Sequence, residues 1–326
     1  MDTHTAQRCE TLSIILPAYN EEENIPRAVS AIGEIMDREG IDAAFYFIDD
    51  GSTDKTWEAI EKAAETDRRV NGVRFSRNFG KEAAIFAGLQ MARGKCCAVM
   101  DCDLQHPPET LPEMYRLWRA GYDVVEGVKA DRGRENAVYR CMSKLFYRLM
   151  SLATHIDMSR ASDFKLLDRK VVDALVALPE RNTFFRALSS WAGYKTVSVE
   201  YCVQERAAGY SKWNAFGLFR YAINNIMSFT TKPLYFVTVL GLIFLVLAVV
   251  QGIDSLISYF TNRAVAGSTT IILIELIIGS VTMISLGIIG GYIARIYEEV
   301  KGRHRFLVSQ TTGISFREDS DDTVQR

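Results

Sequence analysis

The stretch Val99-Met100-Asp101-Cys102-Asp103-Leu104-Gln105-His106-Pro107-Pro108 decides how the whole chain is interpreted. The apolar run from Cys96 to Met100 predicts a buried strand, and two carboxylates one residue apart follow it directly. Residues i and i+2 of an extended segment project to the same side, so Asp101 and Asp103 can face one ion together. Oxygen ligands on one short loop suit Mg²⁺ or Mn²⁺ that also holds substrate phosphates. The alternative is that the two acids only cap the next helix.

Polar clusters follow this strand and three earlier apolar runs of the same kind. Helical segments of about 10–15 residues separate the runs, and this alternation is typical of a mostly parallel sheet covered on both faces. In such sheets ligands bind at the carboxyl ends of the strands, which here carry 17–22, 49–53, 77–81 and 101–105. The sequence therefore predicts an active site along one edge of the sheet. The predicted strands are 12–16, 44–48, 70–75, 96–100, 123–127 and 197–203.

Charge and hydropathy limit the possible functions further. A net charge of −2 over 326 residues argues against a dedicated nucleic-acid binder. The six cysteines form no Cys-x-x-Cys pair, which favours reduced thiols in a cytosolic domain. Residues 1–230 have the composition of a soluble domain, whereas the segments at about 234–254 and 271–294 are long and apolar enough to cross a membrane. The alternative is a hairpin buried inside a soluble protein.

Basic residues indicate the orientation of this hairpin. They precede and follow it, at Arg220, Lys232, Arg295, Lys301, Arg303 and Arg305, whereas the connection between its helices offers only Arg263. By the positive-inside rule the catalytic domain and both termini face the cytoplasm. We expect a catalytic domain at 1–213, an amphipathic interfacial helix at 214–232, a transmembrane hairpin at 233–296 and a cytosolic tail at 297–326.

Several motifs in order carry a family resemblance. Leu12–Glu22 (LSIILPAYNEE), Asp49–Asp54 (DDGSTD) and the Asp-Cys-Asp at 101–103 together resemble the inverting family 2 glycosyltransferases of GT-A fold. Leu104–Glu109, Ser162–Phe164 and Arg206–Lys212 are similar to segments of the polyprenyl-phosphate glycosyltransferases. These include dolichyl-phosphate mannose synthases and bactoprenol glucosyltransferases, and the membrane hairpin resembles the bactoprenol group most. The likeness covers about residues 10–305.

This resemblance implies a fold and a reaction. The fold is α/β, a Rossmann-like, mostly parallel sheet with flanking helices, followed by a two-helix transmembrane hairpin. The reaction is inverting transfer of a hexose from a nucleotide carrier to polyprenyl phosphate, such as undecaprenyl phosphate, at the cytoplasmic face of the inner membrane. UDP-glucose is the first candidate donor, ahead of UDP-GlcNAc, UDP-GalNAc and GDP-mannose. The lipid-phosphate-linked sugar would serve cell-envelope glycosylation, and a homo-oligomer, by family likeness a tetramer, is implied.

The resemblance also implies which residues bind the donor. The nucleoside would be bordered by Pro17, Tyr19, Glu21 and Asp50. Of the two neighbouring acids, Asp50 would make the direct contact and Asp49 would support the turn. Asp103, with Asp101, would hold Mg²⁺ or Mn²⁺ against the diphosphate. Cys102 stands where the family often has alanine, and we expect its side chain to point inward as an inert thiol.

Two further residues near the diphosphate have competing interpretations. Gln105 would contact the diphosphate or support a metal ligand, or else cap the helix that follows. Lys81 would contact a phosphate or be an ordinary solvated lysine.

The acceptor side of the site needs cations more than it needs a base. A phosphate monoester is largely anionic at neutral pH, because its second pKa is near 6. Asp163 matches the family's candidate base, and it could equally cap the following helix or orient the sugar. Two anionic substrates require basic partners, and the resemblance matches Arg206, Ser211 and Lys212 to a basic loop of the family. Arg134, just before the predicted amphipathic helix 136–154, and Arg140 and Lys144 within it could receive the lipid phosphate at a membrane surface. The basic residues of the helix could instead form a solvated face.

Two other functions are compatible with parts of the sequence. A processive polysaccharide synthase would share the fold, but such enzymes usually carry more membrane helices and a Gln-x-x-Arg-Trp motif. Arg186 and Trp191 lie in no such motif. A membrane scaffold with a degenerate nucleotide-binding domain is the third interpretation, and the intact acids at positions 50, 101, 103 and 163 argue against it.

Overall fold

The computed structural model describes residues 11–130, 162–180, 184–202, 232–261 and 268–313. The chain divides into two units, and each is considered by itself. One comprises Met1–Lys212 with His304–Arg326, and the other comprises Trp213–Arg303. The predicted helix at 136–154 lies outside the described residues, and so does the predicted helix at 214–232 except for Lys232.

The first unit is built on an eight-stranded sheet. Its strands are β1 (Leu12–Ala18), β2 (Ala43–Asp49), β3 (Val70–Phe75), β4 (Cys96–Val99), β5 (Val124–Lys129), β6 (Lys165–Asp168), β7 (Thr196–Tyr201) and β8 (Val308–Thr312). The strand order is β7-β5-β6-β4-β1-β2-β3-β8. Six strands run in one direction, and β6 and β8 run in the other. The predicted mostly parallel α/β sheet is confirmed.

Helices follow most of these strands. They are α1 (Asn24–Glu39), α2 (Thr56–Thr66), α3 (Lys81–Met91), α4 (Leu111–Arg119), α5 (Arg169–Val176) and α6 (Phe185–Trp191). The apolar positions of α1 recur at helical spacing, and Ile25, Ile32 and Met36 are fully buried. The short elements β6, α6 and β8 were not predicted, because four to seven residues show too little periodicity to separate strand from helix.

The central strands are apolar on both faces, as expected for parallel strands covered by helices. In β1, Leu12, Ile14 and Leu16 pack into one large core cluster with Phe45 and Phe47 of β2. Burying each such side chain stabilises the fold by about 1.5–3 kcal/mol.

Strand β1 extends further than the sequence predicted. The predicted strand 12–16 stops before Pro17, yet the observed strand pairs with β2 as far as Ala18 and Asp49. Pairing with β4 has already stopped at Ile15 and Val99. Pro17 therefore lies where β1 has lost its β4 neighbour, so its missing N–H costs no ladder hydrogen bond.

Strand β8 comes from the end of the chain that was expected to be a cytosolic tail. It pairs antiparallel with β3, and the ring of Phe306 stacks on Phe75 with centroids 4.9 Å apart. Arg305 donates a 2.6 Å hydrogen bond to the carbonyl oxygen of Leu178, so a third element holds this segment. The predicted tail at 297–326 thus includes a strand of the catalytic sheet. Its sequence, VSQTT, has a single large apolar residue, which explains why the pattern did not predict it.

The second unit contains two long helices, α7 (Lys232–Phe260) and α8 (Ser268–Val300). Each includes a segment long and apolar enough to cross a membrane, at Leu234–Asp254 and Ile277–Val300, with none of either segment buried. The predicted second span, 271–294, lies entirely within α8. Large apolar side chains such as Leu242 and Met283 are exposed, unlike those of a soluble protein's core helix.

The packing of Phe306 gives a testable prediction. Phe306→Ala should lower the free energy of unfolding of the first unit by about 3 kcal/mol, because the ring is buried against Phe75. The neighbouring Leu307→Ala is the matched control and should change it by less than about 0.5 kcal/mol, because Leu307 is 52% exposed. Denaturant titration followed by tryptophan fluorescence measures both values. Equal losses in the two variants would show that β8 is not anchored through Phe306.

Candidate active site

The carboxyl ends of β1, β2, β3 and β4 meet along one edge of the sheet. The antiparallel strand β6 begins at that same edge, because Lys165 pairs with Val99 at the end of β4. The segment 162–164 therefore enters the edge from the opposite direction. This topology places Asp163 next to the end of β4, at the same edge as the four loops predicted to line the site.

The first two of these loops are joined by hydrogen bonds. The backbone N–H of Asn20 donates to Ser52 Oγ at 2.9 Å, and the N–H of Thr53 donates to Asn20 Oδ1 at the same distance. The N–H of Glu21 donates to Thr56 Oγ1 at 2.8 Å. Tyr19 precedes this seam and is 45% exposed, so its ring is accessible at the rim.

Asp49 and Asp50 are both buried, and each has a different structural task. Asp49 Oδ1 accepts the N–H of Ser52 at 2.8 Å and so supports the turn. Asp50 accepts the N–H groups of Phe79 at 2.6 Å and Gly80 at 2.8 Å. Burial raises the pKa of Asp50, and these two hydrogen bonds partly offset that effect. Asp50 thus fixes the loop between β3 and α3, and its contact with a nucleoside stays a prediction.

Gly51 makes the close approach of these loops possible. Its φ of +68° lies in the left-handed region, and a Cβ at this position would be 2.4 Å from the carbonyl carbon of Arg77. No side chain fits there.

The two acids after β4 are partly exposed and flank a buried thiol. Cys102 Sγ donates to the carbonyl oxygen of Pro17 at 3.2 Å, so the side chain points inward as expected. Burial raises the pKa of Cys102, and the charges of Glu21, Asp101 and Asp103 raise it further, which keeps the thiol protonated. The backbone N–H of Gln105 donates to Asp103 Oδ1 at 3.1 Å and so supports the turn.

Three carboxylates gather in this part of the site. The pKa of Glu21 is raised by burial and also by the charges of Asp103 and Asp101, although Asn24 donates to it. Within the described ranges no group of three or more His, Cys, Asp or Glu residues forms a closed metal cage. Mg²⁺ and Mn²⁺ do not require one, because they take one or two carboxylates and complete their shell with substrate phosphates and water. Asp101 and Asp103 fit such an ion.

His106 supports the backbone of Asp101, a role that the sequence did not predict. Its Nδ1 accepts the backbone N–H of Asp101 at 3.3 Å, and its ring stacks on Phe164 with centroids 4.9 Å apart. Burial lowers the pKa of His106, so the ring is neutral and can accept this hydrogen bond. His106 therefore couples the loop after β4 to the segment before β6.

Lys81 bridges the two sides of the site. Its Nζ lies 2.6 Å from Asp101 Oδ1 and 3.0 Å from Asp163 Oδ2. Burial lowers the pKa of Lys81, but the charges of the two carboxylates outweigh that effect and the pKa is raised. The ammonium is therefore fully charged inside a carboxylate cluster, and its contact with a phosphate stays a prediction.

Asp163 is held on its other side by an arginine that the sequence did not single out as a site residue. Arg186 Nε lies 2.6 Å from Asp163 Oδ1, and Nη2 lies 2.6 Å from Oδ2. Burial alone would raise the pKa of Asp163, but hydrogen bonds from Arg186 and the charge of Lys81 lower it well below its usual range. A signal for Arg186 existed, because it is a single charge inside the apolar run from Phe184 to Leu188.

The predicted phosphate-binding residues on the two basic segments lie outside the described residues. These are Arg134, Arg140, Lys144, Arg206, Ser211 and Lys212.

Glu82, next to Lys81, gives a pH-dependent prediction. Burial raises its pKa to about 7, although the N–H of Phe185 donates to its Oε2 at 2.8 Å. A carboxyl group whose pKa is higher in the folded than in the unfolded state stabilises the protein at low pH. That contribution to the free energy of unfolding is lost as pH rises from about 4.5 to 7. Glu82→Gln stays neutral and still accepts this hydrogen bond, so its melting temperature should rise relative to the unsubstituted protein between pH 5 and pH 8. Glu58→Gln, on the exposed side of α2, is the control and should show no such rise in melting temperature. An equal rise in Glu58→Gln, or no rise in Glu82→Gln, would refute the explanation.

Comparison with known proteins gives the family. The model of glycosyl transferase family 2 matches residues 13–176. A bactoprenol glucosyl transferase of Shigella phage SfII is 37% identical over 305 residues, which are 92% of this chain and 98% of the relative. An uncharacterised glycosyltransferase of Synechocystis is 37% identical over 307 residues, 94% of this chain and 96% of the relative.

A solved structure is similar to this chain at a greater distance. Glucosyl-3-phosphoglycerate synthase of Mycobacterium tuberculosis, in complex with Mn²⁺, uridine diphosphate and phosphoglyceric acid, is 20% identical with a TM-score of 0.48, and the match covers 67% of this chain and 78% of that one. The family match over half of the chain and the relatives matched along nearly all of it confirm the resemblance drawn from the motifs. The chain belongs to glycosyl transferase family 2.

Proposed function

We propose that this protein transfers glucose from UDP-glucose to a polyprenyl phosphate, such as undecaprenyl phosphate. The main support is that one chain joins a charged family 2 site to two exposed apolar helices, and that bactoprenol glucosyl transferases are similar to it over 91–92% of its length. Those relatives include the proteins of Shigella phages SfII, SfX and SfV, each 37% identical to this chain. Their glucose and bactoprenol specificity is the basis for both substrates proposed here.

Donor binding would use the edge formed by β1, β2 and β4. Tyr19 is exposed at the rim beside Pro17, and it would border the nucleoside together with Glu21 and Asp50. Asp101 and Asp103 would hold a divalent cation, Mg²⁺ or Mn²⁺. Such an ion neutralises charge on the departing nucleoside diphosphate. Gln105 would support this turn through the hydrogen bond that its backbone donates to Asp103.

Transfer would be a single displacement. An anionic oxygen of the lipid phosphate attacks the anomeric carbon of glucose and forms the new C–O bond. The bond from that carbon to the diphosphate breaks, and UDP leaves with the electron pair. The attacking oxygen carries no proton at neutral pH, so no base is needed to remove one.

Asp163 is therefore proposed to orient other groups rather than to act as a base. Its pKa lies below its usual range, so it is a weak proton acceptor. Both of its oxygens already accept hydrogen bonds from Arg186, and one of them also accepts from Lys81. Lys81, placed between Asp101 and Asp163, is the described cation best placed to approach a substrate phosphate.

The connections of the membrane helices support a topology. Strand β8 follows α8 and lies in the same sheet as β1–β7, which precede α7. Both ends of the hairpin therefore lead to one unit, as two crossings of a membrane require. The basic residues flanking the hairpin favour a cytoplasmic catalytic unit with both termini on that side of the inner membrane. A homo-oligomer stays a prediction from family likeness.

The acceptor can be tested directly with the purified full-length protein. Radiolabelled UDP-glucose, UDP-GlcNAc, UDP-GalNAc and GDP-mannose are offered separately, with either undecaprenyl phosphate or oligosaccharides as acceptor. We expect one labelled lipid product, from UDP-glucose, and its loss in EDTA with recovery on adding Mg²⁺ or Mn²⁺. Elongated saccharide without lipid product would favour a processive synthase. Binding of a donor without transfer to any acceptor would favour a scaffold.

The role of the second acid gives a separate prediction. Asp103→Asn should lower the transfer rate by about 100-fold or more, because it removes a charged ligand for the ion that stabilises the leaving group. Glu109→Gln is the matched control, since Glu109 is an exposed acid on the same segment, and it should retain the full rate. Manganese binding followed by electron paramagnetic resonance should weaken only in Asp103→Asn. Full transfer and unchanged Mn²⁺ binding in that variant would exclude Asp103 as a ligand.

A further inference from the structure

We propose that Arg186 is a positioning residue of the transfer reaction, which holds Asp163 in the orientation that keeps Lys81 between Asp163 and Asp101. This inference rests on the proposed function, because it concerns the same site. It adds a residue outside the motifs that carry the family resemblance.

The ion pair between Arg186 and Asp163 has the geometry that fixes an orientation. Two parallel hydrogen bonds of 2.6 Å join the guanidinium fork to both carboxylate oxygens. The Asp163 side chain is only 7% exposed, so little solvent competes with this contact. A bidentate pair defines the plane of the carboxylate as well as its position, which a single lysine contact cannot do.

The orientation of Asp163 in turn determines where Lys81 lies. Asp163 Oδ2 accepts from both Arg186 Nη2 and Lys81 Nζ, at 2.6 Å and 3.0 Å. On its other side Lys81 Nζ contacts Asp101, the first of the two acids proposed to hold the metal ion. Rotation of the Asp163 carboxylate would therefore displace the Lys81 ammonium from its position beside Asp101.

A buried network fixes Arg186 relative to Asp163. Lys165 is fully buried two residues after Asp163, and its Nζ donates to Ser189 Oγ at 2.7 Å and to Glu126. Ser189 Oγ donates onward to the carbonyl oxygen of Arg186 at 3.2 Å. The segment that carries Asp163 and the helix that carries Arg186 are thus connected behind the site as well as within it.

The start of α6 has a second attachment. The backbone N–H of Phe185 donates to Glu82 Oε2 at 2.8 Å, and Glu82 follows Lys81 in α3. The helix that presents Arg186 is therefore tied both to the strand beside Asp163 and to the helix that begins with Lys81. These contacts make Arg186 part of a preorganised support.

A double-mutant cycle tests this role. The kcat and the KM values for donor and lipid are measured for Arg186→Gln, Asp163→Asn and the double variant. We expect Arg186→Gln to lower kcat by about 100-fold, with both KM values within about 3-fold, because misplacing a catalytic group by 1 Å can cost that much. In the Asp163→Asn background the same substitution should cost less than about 3-fold, since Arg186 acts through Asp163.

Two further variants keep the test decisive. Arg186→Lys retains the charge without the fork and should restore part of the lost kcat; it replaces Arg186→Gln in the cycle if the glutamine variant does not fold. Arg27→Gln, an exposed arginine on α1, is the matched control and should leave kcat unchanged.

Three results would overturn the inference. Equal losses with and without Asp163 would show that Arg186 acts independently of it. A rise of 10-fold or more in the lipid KM with unchanged kcat would assign Arg186 to acceptor binding. Full activity of Arg186→Gln would remove it from the reaction. Absence of transfer by the unsubstituted protein would instead count against the proposed function, so the two failures are distinguishable.

Discussion

The arrangement of the site depends on one cation between two carboxylates. Lys81 begins α3, Asp101 follows β4 and Asp163 precedes β6, so its ammonium joins three elements that are distant in sequence. Without the Lys81 ammonium, the negative charges of Asp101, Asp103 and the buried Asp163 would repel one another. The same balance of charge would suit a site that must accept an anionic donor, because a cation and a divalent ion can together offset the incoming diphosphate.

The sheet of the first unit is also completed by residues from beyond the two long apolar helices. Strand β8 pairs with β3, and β3 leads into the loop whose Phe79 and Gly80 are held by Asp50. The end of the chain thus contributes to the strand that leads toward Lys81. The first unit is therefore assembled from segments on both sides of the hairpin.

The sequence was sufficient for the parallel strands and their polar ends, because continuous apolar runs and adjacent acids are strong local signals. It was insufficient for β6, whose four residues carry no clear period, although its antiparallel direction is what brings Asp163 to the site. Arg186 was missed as a site residue for a related reason, since its importance depends on a long-range contact with Asp163. The weakly patterned β8 could not be separated from a polar tail.

The configuration of the product at its anomeric carbon shows whether the acceptor phosphate itself is the nucleophile. A single displacement by the lipid phosphate must invert the α linkage of UDP-glucose, whereas two successive displacements through an enzyme nucleophile would retain it. Proton and phosphorus magnetic resonance of the purified lipid product distinguishes the two anomers. We expect only β-linked glucosyl phosphate. An α-linked product would contradict a site in which the acceptor phosphate itself is the nucleophile and Asp163 only orients its neighbours.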